Sequence, residues 1–145
     1  MPEKETLERA EEDKQEGKAP STQAGEFVRE EIEHVREGKH GARSTKQAIA
    51  IGLSKARRAG VDLPPPKKGS KTTRKQAARD VRRGKKKHTK KSAKRSRASS
   101  RALKREGRSA ASQRALSRHA RKAAKKRSAA SRSRSAKKAA KTRKK

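Results

Sequence analysis

The sequence predicts a mostly disordered chain with one small all-α part, and three observations support this fold class. Large apolar residues (Leu, Ile, Val, Phe and Met) number only 14 in 145 residues, while charged residues make up 43%. Nine of those 14 lie between Phe27 and Leu63. Lys and Arg total 47 against 15 acids, and most of the surplus follows residue 66. Such a chain buries too little apolar surface to offset the conformational entropy that folding costs.

Residues 1–20 are acidic, and we expect them to be disordered or transiently helical. Leu7 and Ala10 are too few to give this segment an apolar face. Gly17 and Pro20 mark its end.

Residues 21–63 are expected to fold as a helical hairpin, whose first helix is predicted over about 22–37. Apolar residues recur there at helical spacing. Glutamates fill the first half of this helix, where carboxylates suit the positive end of the helix dipole. Gly38 follows as a natural C-terminal stop.

The second helix is predicted over about 45–59, between a capping box formed by Ser44 and Gln47 and a stop at Gly60. Gly52 costs about 1 kcal/mol relative to alanine in a helix interior. It either permits close approach of the first helix or is a plain cost. The predicted hairpin core consists of Phe27, Val28, Ile32, Val35, Ile49, Leu53 and Val61.

Residues 64–70 are predicted to be a Pro-rich linker, in which three consecutive prolines form a stiff polyproline II spacer. Residues 71–145 are predicted to be a disordered, strongly basic tail. Within this tail, short helices over 73–83 and 109–127 are expected to form once phosphates neutralise the repulsion between like charges.

The net charge divides the chain into a nearly neutral head and a cationic tail. Residues 67–145 contain 35 basic residues and two acids, Asp80 and Glu106, for a net charge of +33. Residues 1–66 carry a net charge of −1. A solvated segment with the charge of the tail requires a polyanionic partner, and nucleic acid is the common one in cells.

The charge therefore predicts sequence-nonspecific binding of duplex DNA by phosphate neutralisation, as in a histone-like nucleoid-associated protein. The chain has one Phe and no Tyr or Trp, so it lacks the aromatic platforms that stack on single strands and RNA loops. Two alternatives stay open: an RNA- or ribosome-associated basic protein, and a helical protein-interaction module with a polyanion-binding tail. The hairpin is small for an independent core, which favours a homo-oligomer or a protein partner there.

The residues expected to bind nucleic acid are basic residues of the tail. They are Lys85, Lys86, Lys87, Lys90, Lys91, Lys94, Arg95, Arg97, Arg121, Lys122, Lys125, Lys126, Arg127, Lys137, Lys138, Lys141 and Arg143. Secondary contacts are expected from basic residues of the hairpin, namely Lys39, Arg43, Lys46, Arg57 and Arg58.

No catalytic residue, cofactor or metal site is predicted, and we expect a protein that is not an enzyme. The four histidines are scattered, and the chain has no Cys. The sequence contains no Ser-His-Asp, Walker, Gly-rich or paired-carboxylate arrangement in a context that would form an active-site pocket. No apolar run is long enough for a signal peptide or a membrane span, so we expect no membrane partner and a cytoplasmic location at the nucleoid.

Three motifs of the hairpin carry a family resemblance: Glu26-Phe27-Val28, Glu37-Gly38-Lys39 and the run from Ser44 to Ser54. On these motifs, residues 25–66 resemble a domain-of-unknown-function family of small basic bacterial proteins. The resemblance implies a bacterial source and an association with nucleic acid, and it supplies no catalytic residues. The Lys- and Ala-rich tail is similar to the C-terminal tails of linker histones and bacterial histone-like proteins, which compact DNA.

Overall fold

The computed structural model describes residues 1–86 and 90–143, and this part of the chain is predominantly helical. Its elements are α1 (Lys4–Gln15), α2 (Pro20–Glu37), α3 (Thr45–Arg58), α4 (Lys71–Gly84), α5 (Ala93–Lys104), a 3-10 turn (Ser109–Ala111), α6 (Gln113–Lys125) and α7 (Ala129–Arg143). Helices α1 to α4 pack each on the next, and the 3-10 turn packs on α2, α3 and α6. The arrangement is that of a helical bundle built around the α2–α3 hairpin.

The prediction of a mostly disordered chain is wrong. Helices α2 and α3 lie within two residues of the bounds predicted for the hairpin. The acidic N-terminal segment, however, contains α1, and the segment predicted to be a disordered tail contains α4 to α7. The helix expected over 73–83 is α4, and the one expected over 109–127 is the 3-10 turn followed by α6.

Alanine and serine account for this difference between the predicted and the observed order. Eight of the eleven buried apolar residues in the described part of the chain are alanines, so counting large apolar residues missed most of the core. Serine side chains cap the starts of α3, α4, α5 and α6. Each cap stabilises a helix by about 1 kcal/mol. Each like-charge pair on a helix costs about 0.2–0.5 kcal/mol, so one cap offsets two or more such pairs, and the high helix propensity of alanine adds to this.

Two clusters of apolar residues form the core. The first joins α2 and α3 to the 3-10 turn and contains Ile32, Val35, Ala42, Ala48, Ala110 and Ala111, with Val28 and Leu116 packed against it. The second joins α1 to the hairpin and contains Ala10, Ala24, Phe27 and Ala56, with Leu53, Val61 and Leu63 packed against it. Every residue of the predicted hairpin core except Ile49 therefore contacts one of the two clusters.

The face of α3 that meets α2 consists of small residues. Ala48, Gly52 and Ala56 are spaced four residues apart and are buried, whereas Ile49 is half-buried and outside both clusters. A Cβ atom on Gly52 would lie 2.6 Å from the Cα atom of Val28. Gly52 therefore serves the close approach of the two helices, which is one of the two uses that the sequence left open.

Replacing Gly52 with alanine is expected to lower the free energy of unfolding by about 1–3 kcal/mol, because the new methyl group would push against the backbone of α2. Gly25 is the matched control, since it lies on α2 with open space around its Cα. There, Gly25→Ala should stabilise the chain by up to about 1 kcal/mol through helix propensity. Urea unfolding followed by circular dichroism measures both, and equal stabilisation by the two changes would contradict the close contact.

One of the two acids in the basic part of the chain anchors α4 to α3. The Asp80 carboxylate is fully buried and accepts hydrogen bonds from Arg58 Nε at 2.9 Å and from Ser54 Oγ at 2.8 Å. Ala77, one turn earlier, is buried beside it. The segment that follows the Pro-rich linker is thus fixed to the hairpin by a directed polar contact.

Asp80→Ala is expected to lower the free energy of unfolding by about 2–3 kcal/mol, because it removes the buried acceptor of the hydrogen bonds from Arg58 and Ser54. The loss is below that of a fully buried ion pair because the Arg58 side chain is 46% exposed. Asp62→Ala removes the same charge at an exposed site and should change stability by less than about 0.5 kcal/mol. Equal effects of the two changes in urea unfolding would mean that Asp80 does not anchor α4.

A candidate nucleic-acid interface

A basic groove of about 450 Å³ lies between the beginning of α3 and the first turns of α6. Small polar residues and alanines form its floor, and no Asp or Glu lines it within residues 1–86 and 90–143. Its basic side chains and its histidine are Arg43, Lys46, Arg114, Arg118, His119 and Lys122. The groove therefore collects cations from two segments that are far apart in sequence.

The 3-10 turn fixes the two sides of the groove to each other. Thr45 Oγ1, at the start of α3, donates a hydrogen bond of 2.7 Å to the carbonyl oxygen of Ala110. Arg36 Nε, near the end of α2, donates one of 2.9 Å to the carbonyl oxygen of Ala111. Both alanines are buried in the first core cluster, so α6 begins at a defined place beside α3.

Helices α3 and α6 both begin at the groove. Ser44 Oγ accepts a hydrogen bond from Gln47 N, and Ser112 Oγ accepts one from Ala115 N, each at 3.2 Å. Gln47 Oε1 accepts from the amide of Arg43 at 2.7 Å, so the predicted capping box is closed one residue earlier than its usual form. Two positive helix ends beside several cationic side chains make the groove favourable for an anion.

Helix α6 extends the basic surface beyond the groove. Leu116 packs the opposite side of α6 against the first core cluster, which orients the helix. Its cations recur at helical spacing along a single continuous surface, at Arg114, Arg118, Arg121, Lys122 and Lys125. The helix therefore presents a row of positive charge that continues from the groove.

The predicted tail contacts are spread over several elements. The segment between α4 and α5 contains Lys85, Lys86, Lys90 and Lys91, and α5 contains Lys94, Arg95 and Arg97. Helix α6 contains Arg121, Lys122 and Lys125, and it is followed by Lys126 and Arg127. Helix α7 contains Lys137, Lys138, Lys141 and Arg143. All of these side chains are exposed, and Lys87 lies outside the described residues. Of this set, Lys122 lines the groove.

The five predicted secondary contacts divide into two groups. Arg43 and Lys46 line the groove. Lys39 is instead paired with two glutamates, and Arg58 is bound to the buried carboxylate on α4. Arg57 is 8% exposed and donates to a backbone carbonyl, and burial lowers the pKa of its guanidinium. Arg43 also lies 3.5 Å from a carboxylate oxygen of Glu106, although its side chain is largely exposed. Two of the five therefore line the groove.

Three groove residues were not among the predicted contacts: Arg114, Arg118 and His119. The sequence does contain a signal for two of them, because Arg114, Arg118 and Lys122 recur every four residues and so share one helix face. The missing information was that α6 folds back onto the start of α3. That contact depends on Ala110, whose type alone does not distinguish core from surface.

A second polar site lies where α2 meets the loop that follows it. There the side chains of Glu31, His34 and His40 converge, with Glu31 fully buried. The sequence predicted no metal site because its histidines are scattered, but the fold brings two of the four together.

Comparison with known proteins finds one family model that matches part of the chain. Residues 13–68, less than half of the chain, match a family model described as "Family of unknown function (DUF6496)". The predicted resemblance of the hairpin to a family of unknown function is thereby confirmed. The match includes the α3 side of the groove and ends before α6. No curated protein and no solved structure matches the chain.

No helix within the described residues is both long enough and apolar enough to cross a bilayer.

Proposed function

We propose that this protein binds duplex nucleic acid, preferably DNA, through the basic groove and the adjoining surface of α6, and that it is not an enzyme. The observation that carries the proposal is the convergence of five Lys and Arg side chains and two helix starts on a groove whose described lining lacks acids. Cations around positive helix ends match the phosphate backbone of a nucleic acid.

Phosphate contacts fix a protein on a duplex without reading its sequence. The one aromatic residue of the chain apart from histidine, Phe27, is 1% exposed and packed in the second core cluster. It is therefore withheld from stacking on bases, which is how proteins usually hold single strands and RNA loops. These features favour a duplex over a single strand and nonspecific over specific binding.

Helices α5 and α7 supply additional positive charge outside the groove. Neither has a buried residue, and their basic side chains are exposed to solvent. They would neutralise phosphates beside those held in the groove, or on a second duplex. This exposed positive charge supports a histone-like role at the bacterial nucleoid.

The structure removes the main reason for expecting self-association through the hairpin. The expectation rested on a hairpin too small to complete its own core. In the structure α1, α4 and the 3-10 turn cover the hairpin within one chain. We therefore place the ligand-binding function in the basic groove and not in an apolar face of the hairpin.

The proposal is tested by competition. The full chain is titrated into a fluorescent DNA duplex, and anisotropy is followed while unlabelled duplex DNA, duplex RNA or a single strand of equal nucleotide content is added. We expect unlabelled duplex DNA to compete best, whatever its sequence. Stronger competition by duplex RNA would favour an RNA-associated protein, and stronger competition by the single strand would contradict the duplex-binding groove.

A further inference from the structure

The polar site on α2 has the arrangement of a set of metal ligands. Glu31 and His34 are three residues apart on one face of α2, and His40 lies in the loop between α2 and α3. One potential ligand atom from each residue lies within 4.8 Å of the other two. The two imidazole rings approach edge to face, with centroids 6.1 Å apart. This site is independent of the proposed nucleic-acid groove.

The hydrogen bonding of His40 defines which of its nitrogens faces the site. Its Nδ1 atom lies 3.0 Å from the carbonyl oxygen of Gly41, and a carbonyl can only accept, so Nδ1 carries the proton. In the neutral ring Nε2 then has a lone pair, and this atom lies 3.1 Å from Glu31 Oε1. A lone pair facing a carboxylate oxygen at that distance requires a metal cation between the two atoms or a proton on one of them.

His34 likewise uses one ring nitrogen for a hydrogen bond and leaves a lone pair on the other. Its Nε2 atom lies 2.9 Å from Glu3 Oε1, and the carboxylate accepts the hydrogen bond. Nδ1 is then the atom with the free lone pair, and it lies 4.0 Å from Glu30 Oε1 on the same helix. A histidine that ligates a metal commonly donates its other N–H to a carboxylate or a backbone carbonyl. His34 and His40 show one case of each.

The two neighbouring glutamates of α2 differ in how their charges are satisfied. Glu30 Oε2 accepts from the amide of Glu3 at 3.0 Å, and Lys55 Nζ donates to Oε1 at 3.2 Å. Burial would raise the pKa of Glu30, but these hydrogen bonds outweigh it and hold the pKa below its usual value. Glu31 is fully buried, and neither of its oxygens has a hydrogen bond of acceptable geometry.

Lys55 does approach Glu31, with Nζ 2.7 Å from Oε2. The distance is short, but the angles are poor for a hydrogen bond, so we treat the contact as charge neutralisation only. It leaves Oε1, the oxygen that faces His40, without a directed partner. A buried carboxylate oxygen without a hydrogen-bond partner lowers the stability of the fold unless a second cation binds to it.

We propose that Glu31, His34 and His40 bind one divalent transition-metal ion of the zinc class. Two imidazoles and one carboxylate are an established ligand set for zinc, and they leave a fourth position for water. Zinc–ligand bonds of about 2.1 Å would draw the ligand atoms to roughly 3.4 Å from one another. The metal would hold the loop that carries His40 against α2 and so act as a clamp between the two helices of the hairpin.

The test uses the full chain, treated with a chelator and then freed of it. Zn²⁺ is titrated by calorimetry, and Co²⁺ is titrated while the visible absorption of a four-coordinate cobalt site is recorded. We expect one equivalent of either metal to bind and the cobalt bands to appear. His40→Gln and His34→Gln should each weaken binding by about 100-fold or more, since loss of an outer partner alone costs about 10–100-fold.

His119→Gln is the matched control, because it removes a partly buried histidine that stands on α6, away from the cluster. Its affinity for both metals should equal that of the unmodified chain. Glu31→Gln preserves the shape of the buried carboxylate and should abolish the cobalt bands. Circular dichroism of each metal-free variant shows whether it keeps the helix content of the unmodified chain, and at least one of the three ligand variants must do so for the comparison to count.

The proposal is overturned if the unmodified chain shows no saturable binding of Zn²⁺ or Co²⁺. It is also overturned if His119→Gln weakens binding as much as His40→Gln, or if a folded Glu31→Gln variant binds as tightly as the unmodified chain. In any of these cases His40 and Glu31 contact each other directly, without a metal ion between them.

Discussion

Raising the salt concentration from about 50 to 200 mM is expected to weaken the binding of duplex DNA by roughly 10³- to 10⁵-fold, if about six to ten phosphates are contacted. Each Lys or Arg that neutralises a phosphate releases condensed counterions, and added salt opposes that release. The groove supplies five of these cations, and the exposed helices α5 and α7 supply the rest. The affinity is measured by fluorescence anisotropy at a series of salt concentrations.

The slope of log affinity against log salt concentration gives the number of contacts directly, at about −0.9 for each phosphate contact on duplex DNA. Two duplexes of equal length and different base composition serve as the control for sequence dependence, and they should give the same slope. A slope near zero would exclude binding by phosphate neutralisation. A large difference in affinity between the two duplexes would exclude nonspecific binding.

Neutralising three cations of the groove, in the variant Arg114→Gln, Arg118→Gln and Lys122→Gln, is expected to weaken duplex binding on the order of 100-fold at low salt. Each exposed charged hydrogen bond to a phosphate contributes roughly 1 kcal/mol, so three of them contribute about 3 kcal/mol. The three side chains lie in a row on α6 and line the groove beside the start of α3, so one duplex backbone can contact all of them. The salt slope should fall by about 2.7 units, or 0.9 for each lost contact.

The matched control removes the same charge from α7, in the variant Arg132→Gln, Arg134→Gln and Lys137→Gln. These side chains are exposed and lie on a helix without buried residues. The control should lose less than about tenfold in affinity, because α7 has no buried residue that fixes its cations beside the groove. Equal losses in the two variants would mean that total charge, and not the groove, determines binding.

The sequence predicted the hairpin well because its signals are local. Helical spacing of apolar residues, the Ser44 cap and the Gly38 stop defined α2 and α3 to within two residues. Gly52 was correctly associated with close helix approach as one of its two uses. These features depend on residues within a few turns of each other, so pattern and cap chemistry are sufficient to find them.

The order of the C-terminal half was not predicted, because it depends on residues whose role is not evident from type. Ala77, Ala110 and Ala111 are core residues in the structure, yet alanine occurs equally in exposed helices such as α7. Asp80 seemed one of two stray acids in a basic tail, and it is the buried anchor of α4. The overall composition does not distinguish buried from exposed residues of these types, and the prediction of disorder rested on that composition.

The sequence predicted that the candidate site is basic, but it did not predict where on the folded chain the site lies. The tail was correctly identified as the basic part of the chain, and Arg43, Lys46 and Lys122 do line the groove. Their convergence requires the hydrogen bond from Thr45 to Ala110, which joins residues 65 apart. A contact at that separation leaves no periodic signal in the sequence, so the groove became visible only once the chain was folded.

The claim that the groove holds the nucleic acid backbone is tested most directly by titrating an isotopically labelled full chain with a short DNA duplex and following its backbone amides by NMR. We predict that the largest shifts occur at the starts of α3 and α6, near Lys46 and Arg114, where two helix ends face the groove. Shifts confined to α5 and α7, with the starts of α3 and α6 unchanged at saturation, would contradict the account.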